Sequence, residues 1–353
     1  MALVGGIGSG KTTELLLTQK VLSRHPDAVN VYVDMADYAD LSEISTGAIL
    51  ATAGIQLYRR LLKKARNKEL PDAVKAAWVK LRALAFGKTD WVKQPPDPYE
   101  YEPDADEAYE VVRVHVPGVM KLRLPALRRQ VVEILGQFLT IASSLESESQ
   151  TTLLVDGLDR LIKPELFRQF AEQDLQALKG TKISVIIVAP LLFLYDKNRF
   201  LQDYFDVVKH IPAAAADPRT SAFLRQILER RGALHFMDRT EIAAIAKYSG
   251  GVLRDLLTLA RSSAEYAYRD GEDRIGRRHV KAAVKQLGNR YLVGLGNDQK
   301  GLLRRLSEDG EFPMENSTAR ELLVNRQVLE YFRGGLDSLA VHPALARVLP
   351  RPV

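Results

Sequence analysis

The chain has 353 residues, 46% of them hydrophobic, with 50 Lys+Arg against 44 Asp+Glu and no cysteine. That length supports one large or two to three ordinary domains with their own cores, and the lack of cysteine excludes both a disulfide framework and a thiolate metal site. Apolar runs such as residues 185–188 fall far short of the roughly 20 residues a membrane span needs, and Met1 leads at once into a glycine-rich motif rather than an export sequence. A soluble, cytoplasmic protein with no membrane partner is the expectation.

The formal charge of +6 is unevenly placed: 23 Lys+Arg and 16 Asp+Glu lie from Arg219 onward. The whole excess is therefore C-terminal, which fits a nucleic-acid partner and fits a solvated helical surface equally. The histidines at 25, 115, 210, 235, 279 and 342 have no metal-type spacing.

In chain order, residues 2–4 read as a stub of apolar strand, 5–10 as a glycine-rich loop, and 11–22 as a helix whose apolar face is Leu15, Leu16, Leu17 and Val21. Residues 29–33 read as a buried strand ending at Asp34, and 41–62 as a helix, which gives a first βαβ unit. Between Asp34 and Thr151 lie 116 residues, far more than the dozen or so that a crossover requires, so an insertion is expected at about 64–125. Within this stretch, 58–68 and 73–84 have helical spacing. Residues 94–110 carry four prolines and seven acids with no basic residue and read as an exposed loop, 111–124 as a hairpin and 127–145 as a helix. Strands at 151–155, 183–188 and 206–211 complete five short apolar strands separated by helices, the pattern of an α/β parallel sheet covered by helices on both faces.

The core thus spans 1–212. Residues 213–290 read as a helical lid interrupted at Gly232, Gly250-Gly251 and Asp270-Gly271, and 291–353 as a third unit. In the last, helices at 298–308 and 317–325 precede alternating stretches at 328–332 and 338–341 joined by Gly334-Gly335, a helix–helix–hairpin order that suggests a small winged helix.

Gly5, Gly6, Ile7, Gly8, Ser9, Gly10, Lys11 and Thr12 satisfy G-x-x-x-x-G-K-[ST], the Walker A pattern, between a strand and a helix. In such a loop successive N–H groups and the helix N-terminus, here with Thr13 in its first turn, face a triphosphate, most simply ATP. Lys11 reaches the β- and γ-phosphates and the Thr12 hydroxyl binds Mg²⁺. The Walker B carboxylate is assigned to Asp156, at the end of the Leu153-Leu154-Val155 strand, taken to lie beside the first strand; Asp159 is placed to polarise a water or to cap a helix.

With the Asp156-Gly157-Leu158-Asp159 cluster and Gly250-Gly251-Val252-Leu253-Arg254-Asp255, the chain resembles the AAA+ and STAND group of P-loop ATPases, including origin-recognition-type and NACHT-type members, over residues 1–290. The resemblance implies a five-stranded core whose Walker B strand is separated from the helix after Walker A, with Arg254 as the lid arginine sensing the γ-phosphate. It implies ATP hydrolysis coupled to self-association or to a protein partner, as in bacterial signalling or defence switches. A DNA-binding regulator and a nucleotide-binding scaffold without turnover are the alternatives. Gly157 stands where many relatives carry glutamate, which implies slow hydrolysis, and the strand at 183–188 runs into Ala189-Pro190 without a polar sensor. Arg199 and Arg219 are the available candidates for an arginine finger. With only Met1–Val4 before the loop, either the adenine pocket is completed from elsewhere or the natural beginning is missing. The third unit is similar to the winged helices of such ATPases. Its Ser317–Asn325 helix holds Arg320 alone, a poor phosphate-binding surface, and His342 is expected to pack beside Pro343.

Overall fold

The computed structural model describes residues 1–25, 28–37, 41, 47–65, 70–86, 133, 150–161, 164–179, 183–195, 199–213, 218–333 and 336–350. The acidic segment at 94–110, the hairpin at 111–124 and the helix at 127–145 lie outside them, apart from Glu133, which is helical. The chain divides into two compact units: Met1–Leu3 with Thr12–Pro190 and Phe200–Val208, and Val4–Lys11 with Leu191–Arg199 and Lys209–Val353.

Strands β1 (Ala2–Val4), β2 (Ala28–Asp34), β3 (Gln150–Asp156), β4 (Ile183–Ala189) and β5 (Val208–His210) form one sheet in the order β2-β3-β4-β1-β5. β2, β3 and β4 pair in parallel. β1 joins in the same sense: Met1 N donates to Val185 O and Ile187 N to Met1 O, while Ala2 N donates to Val207 O and Ile211 N to Val4 O. The α/β class with a five-stranded parallel sheet is therefore present. One expectation needs correction, because β4 lies between β3 and β1, so the Asp156 strand is not beside the first. Apolar runs mark the presence of such strands but carry no signal of their order.

In the first unit, α1 (Lys11–Leu22) follows the loop, and α2 (Ala48–Ala65) packs on α3 (Asp72–Phe86) with Tyr58 and Trp78 stacked at 4.3 Å. The helix expected from 41 begins instead at Ala48, and the separate helix expected from 58 is its continuation. Its start is fixed from a distance. After β3, α4 (Pro164–Phe170) continues through a π-turn at Ala171–Leu175 into α5 (Gln176–Lys179), and the fully buried Asp174 of that turn accepts from Gly47 N at 2.7 Å and Ile49 N at 3.2 Å. A carboxylate on the orphan N–H groups of a helix start supplies a cap that Gly47, with no side chain, cannot. α6 (Phe200–Tyr204) precedes β5.

In the second unit, α7 (Pro218–Arg230), α8 (Ala233–Phe236), α9 (Arg239–Tyr248), α10 (Leu253–Arg269) and α11 (Arg277–Leu292) follow one another. Leu256, Leu259, Ser263 and Ala267 form the buried stripe of α10, at the three- and four-residue spacing of one helix face. Next come α12 (Asn297–Glu308), α13 (Ser317–Val324), the antiparallel pair β6 (Val328–Arg333) and β7 (Leu336–Val341), and α14 (Pro343–Ala346). α14 crosses α11 closely at Gly288, where a Cβ would stand 2.2 Å from Ala344 O. Only glycine allows that approach.

Candidate functional site

The phosphate loop is shaped by what its glycines permit. A Cβ on Gly5 would lie 2.0 Å from Ile211 O, whose own N–H is bonded to Val4 O, so the loop leaves β1 pressed against the chain that follows β5. Gly8 at φ 85° and Gly10 at φ 104° are left-handed, a conformation nearly closed to residues with a Cβ. Ser9 N closes the turn on Gly6 O at 3.1 Å. The buried Lys11 curls back along the loop and donates from Nζ to Gly5 O and Gly6 O, both at 2.8 Å. This backbone is a cradle that added Cβ atoms would fill or strain, and it fits the phosphate-binding role of the motif. Within the same unit the first turn of α10 is joined to the loop: Leu253 N donates to Gly8 O at 3.1 Å, and a Cβ on Gly8 would meet Val252 Cγ1 at 2.7 Å and Arg254 Cβ at 3.4 Å. Arg254, chosen from the sequence as the lid arginine, therefore sits beside the loop with its side chain exposed.

In the first unit, Asp156 ends β3 and is 1% exposed. Its Oδ1 accepts from Gly157 N at 2.8 Å and its Oδ2 from Tyr32 Oη at 3.0 Å. A carboxylate has about four lone-pair sites, so these two bonds orient Asp156 and leave it able to hold a hydrated cation. Asp34 lies opposite it in register on β2. Burial raises the Asp34 pKa and the charge of Asp156 adds to the rise, against the opposing Ala36 N–H bond and the Arg160 guanidinium 3.6 Å away. Burial first, and then the Asp156 charge, push the Tyr32 phenol upward, so it remains a proton donor. Tyr32 and Asp34 were not singled out from sequence. Their alternation in Val31-Tyr32-Val33-Asp34 was the available signal, since it puts both on one face of a strand.

Gly157 is left-handed at φ 89°, and a Cβ there would stand 2.4 Å from Asp34 Oδ1. A side chain at this position is strained by the backbone and would have to displace the Asp34 carboxylate. Asp159 lies in the 3-10 turn Leu158–Arg160 and is partly exposed; Thr12 is half-buried and Thr13 exposed in the first turn of α1. β4 ends at Ala189 ahead of Pro190 with no polar residue at its tip. Arg199 stands at φ 50°.

A buried network follows directly on Arg254. Asp255 Oδ2 accepts from Tyr291 Oη at 2.7 Å and lies 3.2 Å from His342 Nε2, while Oδ1 accepts from Arg326 Nη1 at 3.3 Å. His342, fully buried, accepts Ala344 N on Nδ1 at 3.2 Å, which leaves Nε2 to carry the proton toward Asp255. His342 is thus a bonded group and more than a neighbour of Pro343. Burial alone would raise the Asp255 pKa, but the His342 bond, the Arg326 charge and the Tyr291 bond outweigh it, and the carboxyl is held below its usual range.

Among solved structures, the chain is similar to Cdc6p from Pyrobaculum aerophilum at 16% identity and a TM-score of 0.44, with 98% of this chain and 84% of that one covered. It is similar to the ORC2 protein of Aeropyrum pernix at 15% identity and a TM-score of 0.46, covering 98% and 85%. The RuvB Holliday junction branch migration motor of Thermotoga maritima aligns at 17% identity and a TM-score of 0.33, covering 64% of this chain and 84% of that one. No protein-family model matches the sequence, and no curated protein matches it.

Proposed function

We propose that this chain is a P-loop ATPase of AAA+ or STAND type that binds ATP with Mg²⁺ and couples its nucleotide state to self-association or to a protein partner. The observation that carries the reading is the loop itself, with left-handed Gly8 and Gly10, Lys11 at its end, and the first turn of α10 bonded to Gly8 O. Loop N–H groups hold the phosphates; Lys11 and Arg254 neutralise the γ-phosphate as its charge shifts in transfer. Thr12 and Asp156 are the residues that would hold Mg²⁺, which would supply Lewis-acid neutralisation of phosphate charge. Asp159 orients the attacking water. With glycine and no carboxylate directly after Asp156, turnover is slow. The domain limits at 212 and 290 and the winged-helix reading of α12, α13 and the β6–β7 pair belong to the same proposal, as does a role in bacterial signalling or defence.

A second reading, a DNA-binding regulator, is favoured by Arg277, Lys281 and Lys285, exposed at four-residue spacing along α11. Against it, the only cation of α13, Arg320, donates its Nε to Met314 O at 2.7 Å. Sedimentation of the chain alone, with ADP·Mg²⁺ and with a slowly hydrolysed ATP analogue tests the switch. Assembly with the analogue that disappears in Lys11→Ala supports it, and a monomer that holds nucleotide under every condition refutes self-association. Tight DNA binding that weakens steeply with salt would transfer support to the second reading.

A further inference from the structure

One flank of the phosphate loop is apolar and is covered by residues of its own unit. Gly6, Ile7 and Ser9 line a cleft with Ala213, Val252 and Leu329. Ala213, Val252, Leu329 and Tyr331 form a buried apolar cluster, with Ala340 of β7 packed against it. The cavity that remains measures about 10 Å³, room for one water and not for a nucleobase. It lies along Gly6, Ile7 and Ser9 of the loop, and an apolar cleft beside a phosphate loop is the kind of surface a nucleobase packs on.

The covering strand is fastened at several points. Ala213 N donates to Glu330 O at 3.2 Å, and Tyr331 Oη to Gly250 O at 2.9 Å. The buried Glu330 carboxylate accepts Tyr195 Oη at 2.5 Å and lies 2.7 Å from His210 Nε2. Gly250 is a close fit, since a Cβ there would stand 2.5 Å from Leu329 Cδ1. Both ends of the hairpin are held by one carboxylate: Arg326 precedes β6, His342 follows β7, and each meets Asp255, the residue after Arg254.

We propose that the β6–β7 hairpin is a latched plug: docked through Asp255, it occupies the space the nucleotide's base requires, so hairpin docking and nucleotide binding oppose each other. This rests on the P-loop reading above. By linkage, whatever loosens the hairpin tightens nucleotide binding, and bound nucleotide loosens the hairpin to the same degree. The chain therefore needs no inhibitor from outside to keep its empty state closed. A partner that takes the hairpin would act as an activator of nucleotide loading.

The test uses the full chain, its Arg326→Gln and Leu329→Ala variants and Lys11→Ala, titrated with ATP bearing a ribose fluorophore and Mg²⁺. Amide exchange over 328–333 and 336–341 is followed with and without saturating ATP. Arg326→Gln opens the latch at a partly exposed position, so it remains informative where truncation of the buried Leu329 unfolds the unit. The expected result is nucleotide affinity raised roughly five-fold or more, the lower end of ordinary coupling, with faster exchange in the hairpin when ATP is bound. Affinity unchanged or lowered in Arg326→Gln, or hairpin amides protected by ATP, overturns the plug while leaving the P-loop reading intact. No binding by the parent or by any variant overturns both.

Discussion

Replacing Asp255 with alanine removes the common acceptor of three side chains in one step. Asp255 is 4% exposed, with Tyr291 Oη, His342 Nε2 and Arg326 Nη1 at 2.7, 3.2 and 3.3 Å. Hydrogen bonds to a charged group contribute about 1.5–3 kcal/mol each. The three are not additive, because burial of the carboxylate offsets part of the gain and Arg326 retains some access to solvent. Removing one partner of a buried pair costs about 3–5 kcal/mol, and we expect Asp255→Ala to lie in that range. Asp255→Asn, which keeps an acceptor oxygen, should cost less than half as much. Stability is best read from amide exchange across α10 and α11 in a urea series, since a chain with two units need not unfold in one step. Acid removes the same contribution. The folded pKa is depressed, so the contribution is complete above the unfolded carboxyl value of about 3.9 and is lost as pH falls through the lower folded value. The deficit of Asp255→Ala should therefore be full at pH 7 and shrink below about pH 4. A loss under about 0.5 kcal/mol at pH 7, the size of an ordinary surface substitution, would refute this account of the network.

Other substitutions separate the local arguments. Gly8→Ala places a side chain at φ 85° and against Val252; the left-handed backbone alone costs about 1–2 kcal/mol, and nucleotide affinity should fall at least ten-fold in a binding titration. Asp174→Ala strands two buried N–H groups at the start of α2, at a cost of about 2–4 kcal/mol. Exchange in the first turn of that helix should accelerate while α10 is unaffected. Asp156→Asn keeps an acceptor for Tyr32 but turns an NH2 toward the buried Gly157 N–H, so it should cost about 1–3 kcal/mol of stability, and it should abolish the increase in ATP affinity that Mg²⁺ produces.

The parts of this fold that were legible from sequence are those whose causes are local. Gly5 to Thr12 announces its own geometry, because left-handed turns need glycine and a phosphate needs N–H groups and a cation. The five strands show as apolar runs bounded by polar residues, and Gly232, Gly250 and Gly271 mark breaks between helices at positive φ. What was not legible depends on residues far apart in the chain. The start of α2 is set by Asp174, 127 residues from Gly47, so a pattern of apolar residues running back to Leu41 overran it. Strand order was hidden for a similar reason, since an apolar run such as ISVIIVA in β4 shows that a strand is buried and not which strands flank it. His342 looked like a packing residue because its partner Asp255 is 87 positions away, and the orienting role of Tyr32 on Asp156 spans 124. Glu330 gave no warning at all: a single acid in an alternating strand reads as solvent-facing, whereas here it is 3% exposed and bonded to Tyr195 and His210.

The central claim is that the loop from Gly5 to Thr12 binds a nucleoside triphosphate, and calorimetric titration of ATP into the parent chain and into Lys11→Ala, with and without Mg²⁺, tests it most directly. The account predicts one site per chain in the parent, strengthened by Mg²⁺, and at least a ten-fold loss of affinity when the Lys11 ammonium is removed. Identical isotherms for the two proteins, or no saturable heat from the folded parent at millimolar ATP, would contradict it.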